Sequence, residues 1–341
     1  MSILSWHRPT WDAQFATGRV PASLLLSGAR GSGVKEFGMA VAAALLCATP
    51  TTQGMACGTC DDCRWTAAGR HPDLLLLGEV AVPDADKEDD APKEQEDPEK
   101  PREKEKHLIP VNDIRSVIAF FQVTPNRERA RVVVMAPAEW MNPAAANSLL
   151  KVLEEPPPRA HLVLVSHTPA RLPATVRSRC VSVRLPKPSS AEAQVWLEDQ
   201  GVRAPGLVLH QLGGSPLAHT ELRETYWDAR SRLLPLVSEN PARRRSAELL
   251  GLADSIELGD AHRLLHTWCA DLLGSTCGLP ARYHPDFQPA LDKLAPATPR
   301  KRLLSYESRL RASRRWLDHP LNPKLAVEDL LLGYLAIFEG A

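Results

Sequence analysis

Between residues 22 and 185 the chain alternates apolar runs of strand length with stretches of helical period, and few folds accept that pattern. Three runs lie at 22–27, 131–136 ("RVVVMA") and 161–167 ("HLVLVSH"); two more begin after "HPD" (71–73) and at "CVSVRL" (180–185). Each is bounded by Gly, Pro or a charged residue, as buried strands are. Helical patterns occupy 34–47, 111–121, 143–154 and 169–177. Strands apolar on both faces and joined by helices pair in parallel and are covered on both sides. The expected fold class is α/β, a parallel sheet flanked by helices.

The first strand–helix unit, "LLLSGARGSGVKEFGMAVAAALL" (24–46), has the frame of a nucleotide-binding P-loop, G-x-x-x-x-G-K-[ST]. Gly28 and Gly33 have the required spacing, but Val34 and Lys35 stand where the Lys and the Ser or Thr belong. Lys35 does not replace the missing Lys, because one step along a helix rotates a side chain by about 100°. Glu36 suits the helix dipole but repels phosphate. The strand "RVVVMA" should end in the acids that hold magnesium and activate water. It ends instead in Ala136-Pro137-Ala138, with Glu139 one step displaced. The loop Lys, the hydroxyl ligand and the strand-end acid are missing together. The glycine turn survives for packing, and productive ATP binding is not expected.

Cys47, Cys57, Cys60 and Cys63 form C-x9-C-x2-C-x2-C. Thiolates two residues apart reach one tetrahedral ion, so this set implies a structural zinc with no open coordination position. Cys180, Cys269 and Cys277 lie singly in apolar contexts and are expected in the core. An odd total of seven cysteines argues against a disulfide framework.

The chain is 44% hydrophobic and 24% charged, which suits a soluble globular protein and excludes a fibrous or disordered one. The N-terminus lacks the apolar core of a signal peptide and the longest apolar run is too short for a membrane span, so the expected location is cytoplasmic. Residues 79–106 hold 12 acids and 6 bases, which leaves 29 acids and 35 bases elsewhere. That segment is expected to be a disordered insertion. The mild basic excess permits nucleic-acid contact and does not demonstrate it.

Two blocks carry a family resemblance. "NPAAANSLLKVLEEPP" (142–157) followed by "RLPATVRSRC" (171–180) resembles the clamp-loader branch of the AAA+ ATPases. The cysteine cluster, "HPD", "IPVNDIR" (109–115) and "HPLNPKLAVEDLLLGY" (319–334) are similar to its bacterial members. The resemblance implies a subunit of a five-membered ring, with gamma/tau and delta subunits as partners and the sliding clamp and primed DNA as the complex's targets. Lost Walker residues beside a retained Ser178-Arg179-Cys180 imply a non-hydrolysing member. Arg179 would then be an arginine finger acting in trans on ATP held by a neighbour. The missing sensor arginine in "LGGSPLA" (212–218) agrees with inactivity.

The implied organisation is an AAA+ domain over 1–187 with the zinc module at about 47–63, a small helical lid over 188–225 and a helical collar over 226–341. Asn147 and Lys151 share one helical face, which is either solvated or turned toward DNA. Glu154 and Glu155 are expected to be structural or interface residues, and His71-Pro72-Asp73 a turn. A standalone P-loop ATPase is the alternative, opposed by Val34 and Pro137. A zinc-dependent nucleic-acid binder is opposed by the absence of aromatic–basic interleaving.

Overall fold

The computed structural model describes residues 3–79, 109–127, 129–239, 246–317 and 322–338. The charged segment read as a disordered insertion lies, apart from Glu79, outside the described residues. The chain divides into two compact units, residues 1–188 and 189–341. Among the described residues no helix is long and apolar enough to cross a membrane.

The first unit is built on five parallel strands: β1 (Ser23–Ser27), β2 (Leu74–Gly78), β3 (Arg131–Ala136), β4 (Ala160–Ser166) and β5 (Val181–Arg184). They lie in the order β2-β3-β4-β1-β5. Successive residues face opposite sides of the sheet, so both faces must be apolar. Leu25, Val133, Met135, Leu162 and Leu164 pack on one side, and Leu24, Leu26, Val132, Val134, Val163 and Val165 on the other. Helices α1 (Arg8–Gln14) and α2 (Val34–Leu46) cover the second face with Trp11, Phe37, Val41 and Leu46. The short helix α3 (Asp61–Ala67) follows the cysteine cluster.

The first face is covered by α4 (Val111–Gln122), α5 (Pro143–Glu154) and α6 (Ala174–Arg177) through Ile114, Val117, Leu149, Val152 and Val176. Helix α5 starts where the Asn142 side chain accepts from the Ala145 amide at 2.7 Å, with Pro143 as its first residue. It stops at Glu155, which precedes Pro156 and leaves the helical region. The single helix expected over 169–177 is two pieces, a 3-10 turn at Pro169–Arg171 and α6. Leu172 is extended because Pro173 follows it.

The second unit is helical: α7 (Ser190–Asp199), α8 (Pro205–Gln211), α9 (Glu224–Ser238), α10 (Ser246–Leu250), α11 (Leu258–Ser275), α12 (Gln288–Leu294), α13 (Arg300–Ser313) and α14 (Pro323–Leu335). Helix α11 lies at its centre and buries Ala261, Leu264, Leu265, Trp268 and Leu272, one stripe at helical spacing. The Trp268 indole donates to the Tyr334 hydroxyl at 3.0 Å, which donates to the Val237 carbonyl at 2.7 Å. Of the three single cysteines, Cys269 is buried and Cys180 half-buried, but Cys277 is exposed. The expectation for Cys277 is corrected: it follows the end of α11, where the chain turns outward through Gly278 at φ +75°.

Candidate functional site

The loop after β1 is held by the chain's own N-terminus. Gly33 has φ +96°, a conformation that other residues adopt only at a cost. A Cβ there would lie 2.2 Å from Leu4 Cδ1 and 3.1 Å from His7 Cε1. The Trp6 indole donates to the Ser32 carbonyl at 2.8 Å, and the Ser32 hydroxyl donates to the Ala29 carbonyl at 2.7 Å. Thus a leucine methyl and an imidazole pack so closely on Gly33 that a side chain there has no room. Val34 is 1% exposed, and a Cβ on Gly28 would lie 2.7 Å from its Cγ2. It is a core residue. A cleft of about 720 Å³ beside Gly28 is lined by Ser27, His167, Arg184, Pro186 and Lys187. It lies at the carboxyl ends of the strands, where open α/β sheets place ligands.

Glu139 is occupied structurally. Its Oε1 accepts from the amides of His167 and Thr168 and from the Thr168 hydroxyl, at 2.9, 3.0 and 3.0 Å. Burial pushes its carboxyl up, but the hydrogen bonds it accepts, those from His167 and Thr168 among them, prevail and hold it below the usual range. It ties the end of β3 to the end of β4. Pro137 and Ala138 are buried beside it and offer no carboxylate.

The four cysteines converge. Their Sγ atoms all lie within 4.8 Å of one another. Cys47–Cys60 and Cys57–Cys63 are each 3.9 Å apart. Four sulfurs about 2.3 Å from a tetrahedral zinc stand about 3.8 Å apart, so the set fits Zn²⁺. Cys47 caps α2, Cys60 is the N-cap of α3, and Cys63 sits in its first turn. The amides of Cys57, Gly58, Cys60 and Cys63 all donate to cluster sulfurs, at 3.2–3.4 Å. A hydrogen bond from Thr49 leads the effects that hold Cys57 down to about 5, whereas burial pushes Cys63 up to about 12. A divalent cation favours the thiolate at every position.

Behind the cluster, buried Asp62 on α3 meets His71 at 3.4 Å. His71 Nδ1 accepts from the Asp73 amide at 3.0 Å, and the Asp73 carboxylate accepts from the Asn126 and Arg127 amides at 2.9 and 3.2 Å. These contacts dock the cysteine module on the start of β2. The expected turn at 71–73 is present, but its side chains form a buried hub that spacing alone does not reveal.

Arg179 follows α6 and is exposed. Its Nε and Nη2 lie 2.9 and 2.6 Å from Glu154 Oε1, and Nη1 donates to the Thr175 carbonyl at 3.0 Å. Asn147 and Lys151 are exposed on α5.

A family model described as DNA polymerase III, delta subunit, matches residues 8–189, more than half of the chain. The chain belongs to the delta-prime family of DNA polymerase III subunits. Delta-prime of Pseudomonas aeruginosa is 36% identical over 224 residues, 64% of this chain and 61% of that protein. Delta-prime of Yersinia pestis is 34% identical over 270 residues, 76% of this chain and 71% of its own length. The tau subunit of DNA polymerase III from Escherichia coli is 31% identical over 168 residues, 49% of this chain and 22% of tau.

Of the residues singled out in this delta-prime family chain, the structure brings the four cysteines together. It packs Gly28, Gly33 and Val34 into the fold and leaves Arg179 at the surface. Lys35 and Glu36 are half-buried in the first turn of α2. The roles of Leu4, Trp6 and His7 were not legible, because no local pattern says which distant backbone an N-terminal turn will meet. The Glu154–Arg179 pair spans 25 residues and was equally hidden.

Proposed function

We propose that this chain is the delta-prime subunit of a DNA polymerase III clamp loader: a non-hydrolysing AAA+ member that assembles with gamma/tau and delta subunits. In this reading Arg179 reaches the ATP of the adjacent gamma/tau subunit and stabilises the charge that develops on its terminal phosphate. An arginine finger is worth roughly 10³–10⁵ in rate. The ring then opens the sliding clamp and places it on primed DNA. Residues 1–187 act as the AAA+ domain, 188–225 as the lid and 226–341 as the collar that joins neighbours, in a cytoplasmic complex. The cysteine module holds a structural zinc.

The observation that carries the reading is the pairing of a nucleotide loop that has a buried valine at its lysine position with an exposed arginine. Leu4 and Val34 occupy the loop's surroundings with apolar groups, while Arg179 stands at a helix end where it can be offered to another chain. Similarity to a tau subunit across 49% of the chain favours a ring of related subunits. The test is Arg179→Ala in complexes with wild-type partners. The chain should fold and assemble, because an exposed arginine contributes little folding energy. DNA-stimulated ATP turnover and clamp loading should fall, with residual activity from other interfaces. Wild-type rates would refute the trans role.

A further inference from the structure

All three nitrogens of the Arg179 guanidinium are engaged by its own chain. Nε and Nη2 share one edge of the guanidinium, and both meet Glu154 Oε1, at 2.9 and 2.6 Å. Nη1 donates to the Thr175 carbonyl at 3.0 Å and lies 3.5 Å from Ser178 Oγ. Glu154 therefore takes the Nε edge of the planar fork. The end-on edge, with one N–H each from Nη1 and Nη2, is the one that binds two oxygens of a phosphate in parallel.

Both holding groups are fixed locally. Glu154 is the last residue of α5, a helix capped by Asn142 and stopped before Pro156. The Thr175 carbonyl belongs to α6, whose entry is set by Pro173. A free arginine loses rotamer entropy when it is ordered. A guanidinium already held in place loses less at the moment of reaction. We infer that Glu154 is a positioning residue: with the Thr175 carbonyl it holds Arg179 so that the end-on edge faces out toward the terminal phosphate of a neighbour's nucleotide. The inference rests on the proposed trans role of Arg179. A carboxylate that parked the arginine in an inactive pose would compete with phosphate for the same edge. Glu154 takes the Nε edge and leaves the end-on edge open, so the pair need not break for phosphate to bind.

The test uses complexes assembled from wild-type partners and this chain as Glu154→Ala, Glu154→Gln, Arg179→Ala or the Ala/Ala double variant. DNA-stimulated ATP turnover is measured against ATP concentration. Arg179→Ala should lower kcat. Glu154→Ala should remove most of that same share of kcat with KM unchanged. Glu154→Gln keeps an oxygen acceptor for Nε and Nη2 and should recover most of the loss. The double variant should match Arg179→Ala, because Glu154 acts only through the arginine. A slow Arg179→Ala complex beside a Glu154→Ala complex at wild-type rate overturns the positioning role alone. A faster Glu154→Ala complex shows parking, and a loss additive to that of Arg179→Ala shows an independent role; each also overturns it. A Glu154→Ala chain that fails to assemble places the carboxylate in the interface and rejects the inference. Wild-type turnover by Arg179→Ala instead removes the trans reading on which the inference stands.

Discussion

The Trp6 indole donates to the Ser32 carbonyl at 2.8 Å, which ties the first turn of the chain to the loop that a working site would give to phosphate. Restoring loop side chains therefore does not restore a site. Val34→Lys with Lys35→Thr should yield no ATPase and a destabilisation of about 2–4 kcal/mol, because the new ammonium replaces a fully buried valine. ATP turnover and thermal denaturation of the purified variant check this. Hydrolysis above the wild-type background would contradict it.

Gly33→Ala should destabilise the first unit by about 1–3 kcal/mol, because φ +96° is strained for alanine and its Cβ meets Leu4. Adding Leu4→Ala removes that clash, so the double variant should lose less than the two single losses together. Strict additivity in denaturant melts would show that Leu4 does not press on the glycine.

Freshly purified protein should contain about one zinc per chain, held by Cys47, Cys57, Cys60 and Cys63. Cys60→Ser should lose the metal and lower the stability of the first unit, since Cys60 is both a ligand candidate and the N-cap of α3. Atomic absorption and thermal melts read the two effects. A folded, metal-free wild type would remove the claim.

Acid should weaken both units. Burial pushes His7 in the first unit down to about 4 and His284 in the second down to about 3. Unfolding returns each to an ordinary value near 6.5, so between the two values the unfolded chain binds more protons and stability falls as pH falls. Between pH 7 and pH 5 each histidine should cost about 2 kcal/mol. Denaturant unfolding across that range tests the slope. A stability that stays flat would show that the two imidazoles are not held neutral.

The sheet was legible because its signal is local. Runs such as Val132–Met135 and Leu162–Val165 are apolar at every position, which only a strand buried on both faces requires. The cysteine cluster was legible because ligand spacing is itself short-range. The boundary of α6 was blurred because apolar period continues through Leu172, and Pro173 overrules it. Cys277 was misplaced because apolar neighbours in sequence do not place a residue inside once a helix has ended.

By itself the sequence determined the α/β class, the sulfur set, the loss of the Lys, hydroxyl and acids of an ATP site, and the retained Arg179. These are statements about which atoms are present and how neighbouring residues repeat. Only the tertiary structure decided what fills the space those losses leave and what Arg179 touches. Leu4 meets Gly33, and Glu139 turns to the end of β4. Glu154 meets Arg179 only because α5 and α6 pack on the same face of the sheet. Such contacts join residues 25 or more positions apart, and their geometry follows from how the layers pack rather than from any local preference.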